Sequence, residues 1–111
     1  MIREFAQKQY EGSNGWIVWA VVGRIDSVTA DAALAFGKDV VGNNAKTVLD
    51  MTELDYISSA GLRVLLIIQK QAAKEGKEFI IAGASGMVSS VLEDSGLSTL
   101  FTMRDSMDGL K

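Results

Sequence analysis

The chain of 111 residues contains no cysteine, no histidine and no proline. Without cysteine it has no disulfide, no thiol nucleophile and no thiolate metal site. Without histidine it lacks the commonest general base and metal ligand, which excludes a Ser-His-Asp triad. Only carboxylates and lysines remain for catalysis. We therefore expect a binding or switching protein rather than an enzyme, with no metal and no cofactor.

Positive charge and long apolar runs are also scarce. The net charge of −3 argues against nucleic acid, whose binding needs a basic surface. No apolar run approaches the ~18 residues of a membrane-spanning helix. The first residues, Met1 to Phe5, lack the apolar core of a signal peptide. These features predict one cytoplasmic domain over residues 1–111 that binds neither nucleic acid nor membrane.

The first third of the chain predicts a β-hairpin. Residues 16–22 are β-branched or aromatic apart from Ala20, as is typical of a strand. Residues 5–10 alternate loosely and form a second candidate strand. The Gly-Ser-Asn-Gly sequence at 12–15 is a turn between them. Two strands this close in sequence are expected to pair antiparallel.

Helices and strands alternate after the hairpin, which indicates parallel pairing. The sequence therefore predicts an α/β fold, a small mixed sheet with an antiparallel hairpin and parallel strands, packed with about four helices. The predicted helices cover residues 29–38, 59–75 and 87–94 and a turn at the C-terminus. The predicted strands cover 47–49, 79–82 and 100–102.

Two serines stand where a buried strand and a polar turn give way to a helix. Ser58 and Ser59 precede Gly61 and lie between strongly apolar segments. A serine at a helix N-terminus is often only a cap. A loop that leaves a strand is, however, where open α/β sheets place function.

The segment from Asp50 to Leu66 resembles the signature of STAS domains, in particular bacterial anti-sigma factor antagonists. In that family an Asp-Ser-Ser/Thr-Gly-Leu turn carries a serine that a partner kinase phosphorylates. The similarity extends from about Trp16 to Leu110 and is specific only around the turn. It implies the STAS fold, which has the architecture predicted above.

Aligned on Gly61 and Leu62, the family's phosphoserine falls on Ser59. Ser58 replaces the family's aspartate, and Ala60 replaces its second Ser/Thr. The resemblance implies an anti-sigma factor antagonist, and we expect the chain to be a monomer. Its partners would be an anti-sigma factor serine kinase, which it sequesters when unphosphorylated, and a serine phosphatase that restores the free serine.

A second interpretation remains open because Ser58 departs from the family pattern. The chain would then be a non-switching STAS subunit of a lipid-transport ATPase or of a sensory scaffold complex. A small carboxylate enzyme is a weaker third interpretation, since the turn lacks a base.

Two aspartates and a glycine have roles that the resemblance suggests. Asp26 ends a Gly-x-Ile-Asp sequence in the loop after the strand predicted at residues 16–22. It would contact the kinase or present Ser59, while also capping a helix. Asp50 matches a family aspartate, yet a turn residue that binds nearby backbone N–H groups is the simpler interpretation. Gly61 would allow close helix packing, and the carboxylates of Glu53 and Asp55 are expected to be solvated.

Helical periodicity divides the helix after Ser59 into two faces. The face toward the sheet is expected to carry Leu62, Leu65, Ile68 and Ala72. The opposite face, which is expected to be exposed to solvent, would carry Ser59, Arg63, Ile67, Lys70 and Lys74. Together with Asp26 and Ser58, we expect Ser59, Arg63 and Ile67 to form the partner-binding surface. Arg63 replaces a glycine frequent in the family, and would alter partner specificity or pair with phosphate.

Overall fold

The computed structural model describes residues 2–111. It contains one mixed sheet, as predicted, and three α-helices. The strands are β1 Ala6–Glu11, β2 Ile17–Ile25, β3 Lys46–Asp50, β4 Leu54–Ile57, β5 Glu78–Ala82 and β6 Thr102–Arg104, and the helices are α1 Ala30–Asn43, α2 Ser59–Glu75 and α3 Gly86–Asp94.

The nine-residue strand β2 organises the sheet, whose strand order is β1-β2-β3-β5-β6. It pairs antiparallel with β1 and parallel with β3 through Ile17–Ala20. The C-terminal end of β2, Gly23–Ile25, pairs parallel with β4. β5 pairs parallel with β3 and β6. The carboxyl ends of β2 and β4 therefore lie side by side.

The helices pack against one face of the sheet and enclose the larger core. Because side chains alternate along a strand, Trp19 and Val21 of β2 point to this face. They meet buried residues from each helix and from the neighbouring strands. The helical contribution comes from Ala33, Val40, Val41, Val64, Leu65, Ile68, Ala72, Val88 and Leu92.

The C-terminal segment covers part of the opposite face of the sheet. Met107 and Leu110 pack there against Val18 and its neighbours. The turn between β1 and β2 holds this segment, because Ser13 Oγ donates a hydrogen bond of 2.6 Å to Lys111 O and Asn14 Nδ2 one of 2.9 Å to Gly109 O.

The prediction of about four helices is wrong for the described residues. The predicted C-terminal helical turn is instead the segment 105–110, with bends and turns. Gly109 has a φ of 80°, which interrupts a right-handed helix, and so short an isolated turn has little stability of its own. A 3₁₀ turn at Leu97–Thr99 accounts for the remaining helical residues.

Three further differences from the predictions remain. The last strand, β6, lies at Thr102–Arg104 instead of residues 100–102. α1 continues to Asn43 rather than ending near residue 38, because Val40 and Val41 are buried in the core. The predicted polar turn before Ser58 contains a strand, β4, which pairs with the end of β2. This strand sets the position of the two serines.

Within residues 2–111 no helix combines the length and the apolar character required to cross a bilayer.

Candidate functional site

An open cleft of about 440 Å³ lies at the carboxyl ends of β2 and β4. Ser58 N donates a hydrogen bond of 3.0 Å to Ile25 O, which joins the two strand ends. The loops that leave these strands are therefore neighbours. The cleft is lined by Ile2, Arg24, Asp26, Ser27, Tyr56, Ser58, Ser59 and Ala60, so three of the five predicted partner-binding residues share it.

Ser59 is the first residue of α2 and is exposed to solvent. It stands at the amino end of a 17-residue helix, where unpaired N–H groups and the helix dipole favour negative charge. Its hydroxyl can be reached by another protein, and a charged group attached to it would lie in a favourable local field.

Ser58 is the N-cap residue of α2, although its hydroxyl does not cap. Its carbonyl accepts a hydrogen bond of 2.9 Å from Leu62 N, but its side chain makes no capping bond. The Oγ atom is buried without a hydrogen-bond partner among the described residues. The simple cap that serines at helix starts often provide is therefore not formed by Ser58.

Asp26 organises the loop that faces Ser59. Its Oδ1 accepts hydrogen bonds from Val28 N at 2.9 Å and Thr29 N at 3.2 Å, and Arg24 Nη1 lies 3.5 Å from Oδ2. Desolvation favours the neutral acid, but the two N–H groups and the arginine outweigh it. The pKa of Asp26 therefore lies below its ordinary value.

The lowered pKa of Asp26 predicts a pH-dependent contribution to stability. A depressed pKa in the folded state stabilises the fold above the unfolded pKa of 3.8, and this contribution is lost as pH falls through the folded value. Asp26→Asn keeps an acceptor oxygen but no charge. The free energy of unfolding of Asp26→Asn should be lower than that of the unaltered chain, and this difference should be largest at neutral pH and shrink toward pH 3. Urea unfolding of both proteins at the two pH values measures this, and an unchanged deficit would contradict the assignment.

Gly61 lies where α2 comes closest to the sheet. A Cβ atom on this residue would stand 2.6 Å from Ile25 O and 2.6 Å from Ile57 Cγ1. Since the first contact is with backbone, relief would require the helix to move. Gly61 thus permits the close approach that places Ser59 beside the end of β2.

Arg63 and Ile67 do not line the cleft. They follow Ser59 along α2 at steps of four residues, which places them on roughly the same face. Arg63 is exposed, but Ile67 is partly buried. The predicted exposed isoleucine is therefore incorrect, and any partner surface on this face has Arg63 as its more accessible member.

The other predicted residues have mainly structural contacts. Asp50 is buried, and its Oδ1 accepts a hydrogen bond of 2.9 Å from Thr52 N, as in an Asx turn. Leu62 is partly buried against the core. Asp55 accepts a hydrogen bond of 2.9 Å from Arg3 N and pairs with the Arg3 side chain at 3.7 Å.

Arg24, Tyr56 and Ile2 also line the cleft, although they were not among the predicted site residues. The opposite charges of Arg24 and Asp26, separated by one residue, could have indicated that Arg24 lies beside Asp26. Tyr56 enters through β4, whose existence was not predicted. Ile2 comes from a segment more than fifty residues from Ser58, and no local pattern in the sequence indicates that contact.

Comparisons with known proteins identify the family of this chain. The model of the STAS domain family matches residues 7–109. BtrV of Bordetella bronchiseptica, named as an anti-sigma factor antagonist, is 32% identical over 96 residues, which cover 86% of this chain and 83% of BtrV.

Two solved structures show the same fold. An anti-sigma factor antagonist from Mycobacterium paratuberculosis superposes with a TM-score of 0.85 at 24% identity, covering 95% of this chain and 89% of that one. The Bacillus cell fate determinant SpoIIAA, solved in its phosphorylated form, superposes with a TM-score of 0.70 at 16% identity. The match covers 93% of this chain and 94% of SpoIIAA. The chain belongs to the STAS domain family, and within it to the anti-sigma factor antagonists.

Proposed function

We propose that this chain binds an anti-sigma factor with serine kinase activity and that phosphorylation of Ser59 ends the binding. The observation that carries the proposal is the position of Ser59, exposed at the first turn of α2 and in one cleft with Asp26. No catalytic group is needed on this chain, because the partner supplies ATP and the transfer machinery. The name of BtrV and the phosphorylated form of SpoIIAA support the same mechanism.

A phosphate on Ser59 would be compatible with the fold. It adds about −1.5 to −2 charges beside the positive end of the α2 dipole. Arg24 lines the same cleft and its side chain is 45% exposed, so its guanidinium is available for a charge-assisted hydrogen bond. Asp26 would oppose the phosphate by like-charge repulsion.

The same charge changes what the cleft can bind. In the unmodified state the cleft presents neutral hydroxyl groups next to one ion pair, Arg24–Asp26. A partner that packs apolar or acidic groups against these hydroxyls would meet a dianion after phosphorylation and dissociate. A serine phosphatase would restore binding. Phosphorylation would release the anti-sigma factor, and dephosphorylation would allow it to be bound again. This cycle would control transcription that depends on the sigma factor.

Ser59→Asp should weaken binding to the cognate kinase at least tenfold, about 1.4 kcal/mol, without destabilising the domain. A carboxylate at a helix N-terminus is locally favourable by about 0.3–1 kcal/mol, so lost affinity would arise at the interface. Titration calorimetry and thermal melts measure the two quantities.

The matched control is Ser90→Asp, which adds the same charge at an exposed position on α3. It should leave kinase affinity unchanged. If Ser59→Asp binds as tightly as the unaltered chain, the switch proposal is wrong. If the melting temperature of Ser59→Asp is far below that of Ser90→Asp, the loss of binding is structural and the proposed mechanism is wrong as well.

A further inference from the structure

A second cleft lies on the face of the sheet opposite the helices and has a volume of about 410 Å³. It shares no lining residue with the cleft at Ser59. Its floor includes Ala20 and Val22 of β2, and its borders include Lys8 and Tyr10 of β1 and Asp50 of β3. Its volume is within the range of small-molecule sites, near the lower end.

The strand register explains why the cleft is there. Lys8 pairs with Ala20, and Ala20 pairs with Asp50. Paired residues on adjacent strands project to the same face. Adjacent strands lie about 4.8 Å apart, so the backbone positions of Lys8 and Asp50 are about 10 Å apart. The small side chain of Ala20 leaves the space between them open.

Asp50 is a largely buried carboxylate that lies outside the salt bridges of the described residues. Its residue is only 9% exposed, and one oxygen accepts a hydrogen bond from Thr52 N. Among residues 2–111, no lysine or arginine forms a salt bridge with it. A buried carboxylate without a cationic partner is unfavourable, so a cationic group in the cleft would be stabilised there.

The surroundings of Asp50 also favour an anion and an apolar group. The four charged residues that line the cleft are Lys8, Lys111, Asp50 and Glu53, two of each sign. Lys8 Nζ lies 5.4 Å from the centre of the Tyr10 ring, which adds an aromatic surface. Burial, and then the charge of Asp50, raise the pKa of Tyr10 above its ordinary value, so at neutral pH its hydroxyl stays neutral and can donate.

We propose that this cleft binds a small zwitterion with an apolar side chain, an α-amino acid, with the ligand ammonium on Asp50 and its carboxylate on Lys8. The apolar part would lie over Ala20, Val22 and the Tyr10 ring. A simple cation would make no contact with Lys8, and a simple anion would leave Asp50 unpaired. This proposal is independent of phosphorylation at Ser59.

The test uses the intact chain and three probes of matched shape. L-phenylalanine carries both charges, phenethylamine only the ammonium and 3-phenylpropionate only the carboxylate. Backbone amide NMR titrations should show saturable shifts at Lys8, Ala20 and Asp50 for phenylalanine, with a dissociation constant in the millimolar range or below. Each single-charge probe should bind at least tenfold more weakly.

Variants then assign the two charges. Asp50→Asn and Lys8→Gln should each weaken phenylalanine binding at least tenfold, whereas Lys38→Gln, an exposed lysine on α1, should not. Lys8 is exposed, so Lys8→Gln still tests the proposal if Asp50→Asn fails to fold. The proposal is overturned if phenylalanine causes no shifts at these amides, if phenethylamine binds equally well, or if Lys8→Gln binds like the unaltered chain.

Discussion

Replacing Leu65 with alanine should lower the free energy of unfolding by about 2–5 kcal/mol. The Leu65 side chain is fully buried between α2 and the sheet and belongs to the larger core cluster. Its truncation removes apolar contacts and leaves a cavity that a packed interior fills only partly. Such a loss is a large fraction of the stability of a small domain. Urea unfolding followed by circular dichroism measures it.

The comparison variant is Ile67→Ala, two residues further along the same helix. Ile67 is partly buried, so the expected loss is about 1 kcal/mol, close to the average for single substitutions. Kinase affinity should fall for Ile67→Ala only if the helix face that carries Ser59 and Arg63 is part of the interface. An equal loss of stability in the two variants would contradict the assignment of Leu65 to the core and Ile67 to its margin.

Gly61→Ala should also destabilise the protein, by about 1–3 kcal/mol, as overpacking typically does. Its methyl group would stand 2.6 Å from Ile25 O and 2.6 Å from Ile57 Cγ1. The carbonyl belongs to β2 and accepts a hydrogen bond from Ser58 N, so it cannot withdraw without disturbing the cleft. Kinase binding should therefore weaken in parallel with stability.

Gly42→Ala provides the control for Gly61→Ala. Gly42 lies in α1, and an added Cβ would come no closer than 3.4 Å to another group, the Gln71 amide nitrogen. Alanine is favoured over glycine in a helix by about 0.5–1 kcal/mol, so this variant should be slightly more stable than the unaltered chain. Chemical unfolding of the pair should give opposite signs. A neutral or stabilising Gly61→Ala would mean that α2 does not need its close approach to β2.

The sequence predicted the mixed sheet because its longest strand is rich in the β-branched and aromatic residues that are typical of strands. Residues 16–22 are β-branched or aromatic except for Ala20, and β2 indeed occupies Ile17–Ile25. β4 was not predicted, since its four residues include the charged Asp55. Its pairing with Gly23–Ile25 follows from the length of β2, which tertiary contacts determine and local propensity does not.

The candidate site was predictable where residues lie near the ends of parallel strands. Asp26 and Ser58 were both placed on loops leaving strands, and the structure brings them into one cleft with Ser59. The exposure of Ile67 was mispredicted because a periodicity argument assigns faces to a helix without knowing how much of its surface neighbours cover. The sequence did not predict that Ser58 Oγ would be buried without a partner.

The cleft over Ala20 could not be predicted at all. It depends on the pairing of Lys8 with Ala20 and of Ala20 with Asp50. A shift of one residue in either register would turn the charged side chains to the opposite face. Register emerges from the whole sheet, so a charge pattern across three strands is visible only in the structure.

The proposed switch depends on phosphorylation of Ser59. The most direct measurement is mass spectrometry of the chain, intact and after proteolysis, following incubation with its cognate kinase and ATP. We predict the addition of one phosphate, located on Ser59, and no addition to Ser59→Ala. Phosphate on Ser58 or Thr52, or an unmodified chain in the presence of an active kinase, would contradict the account.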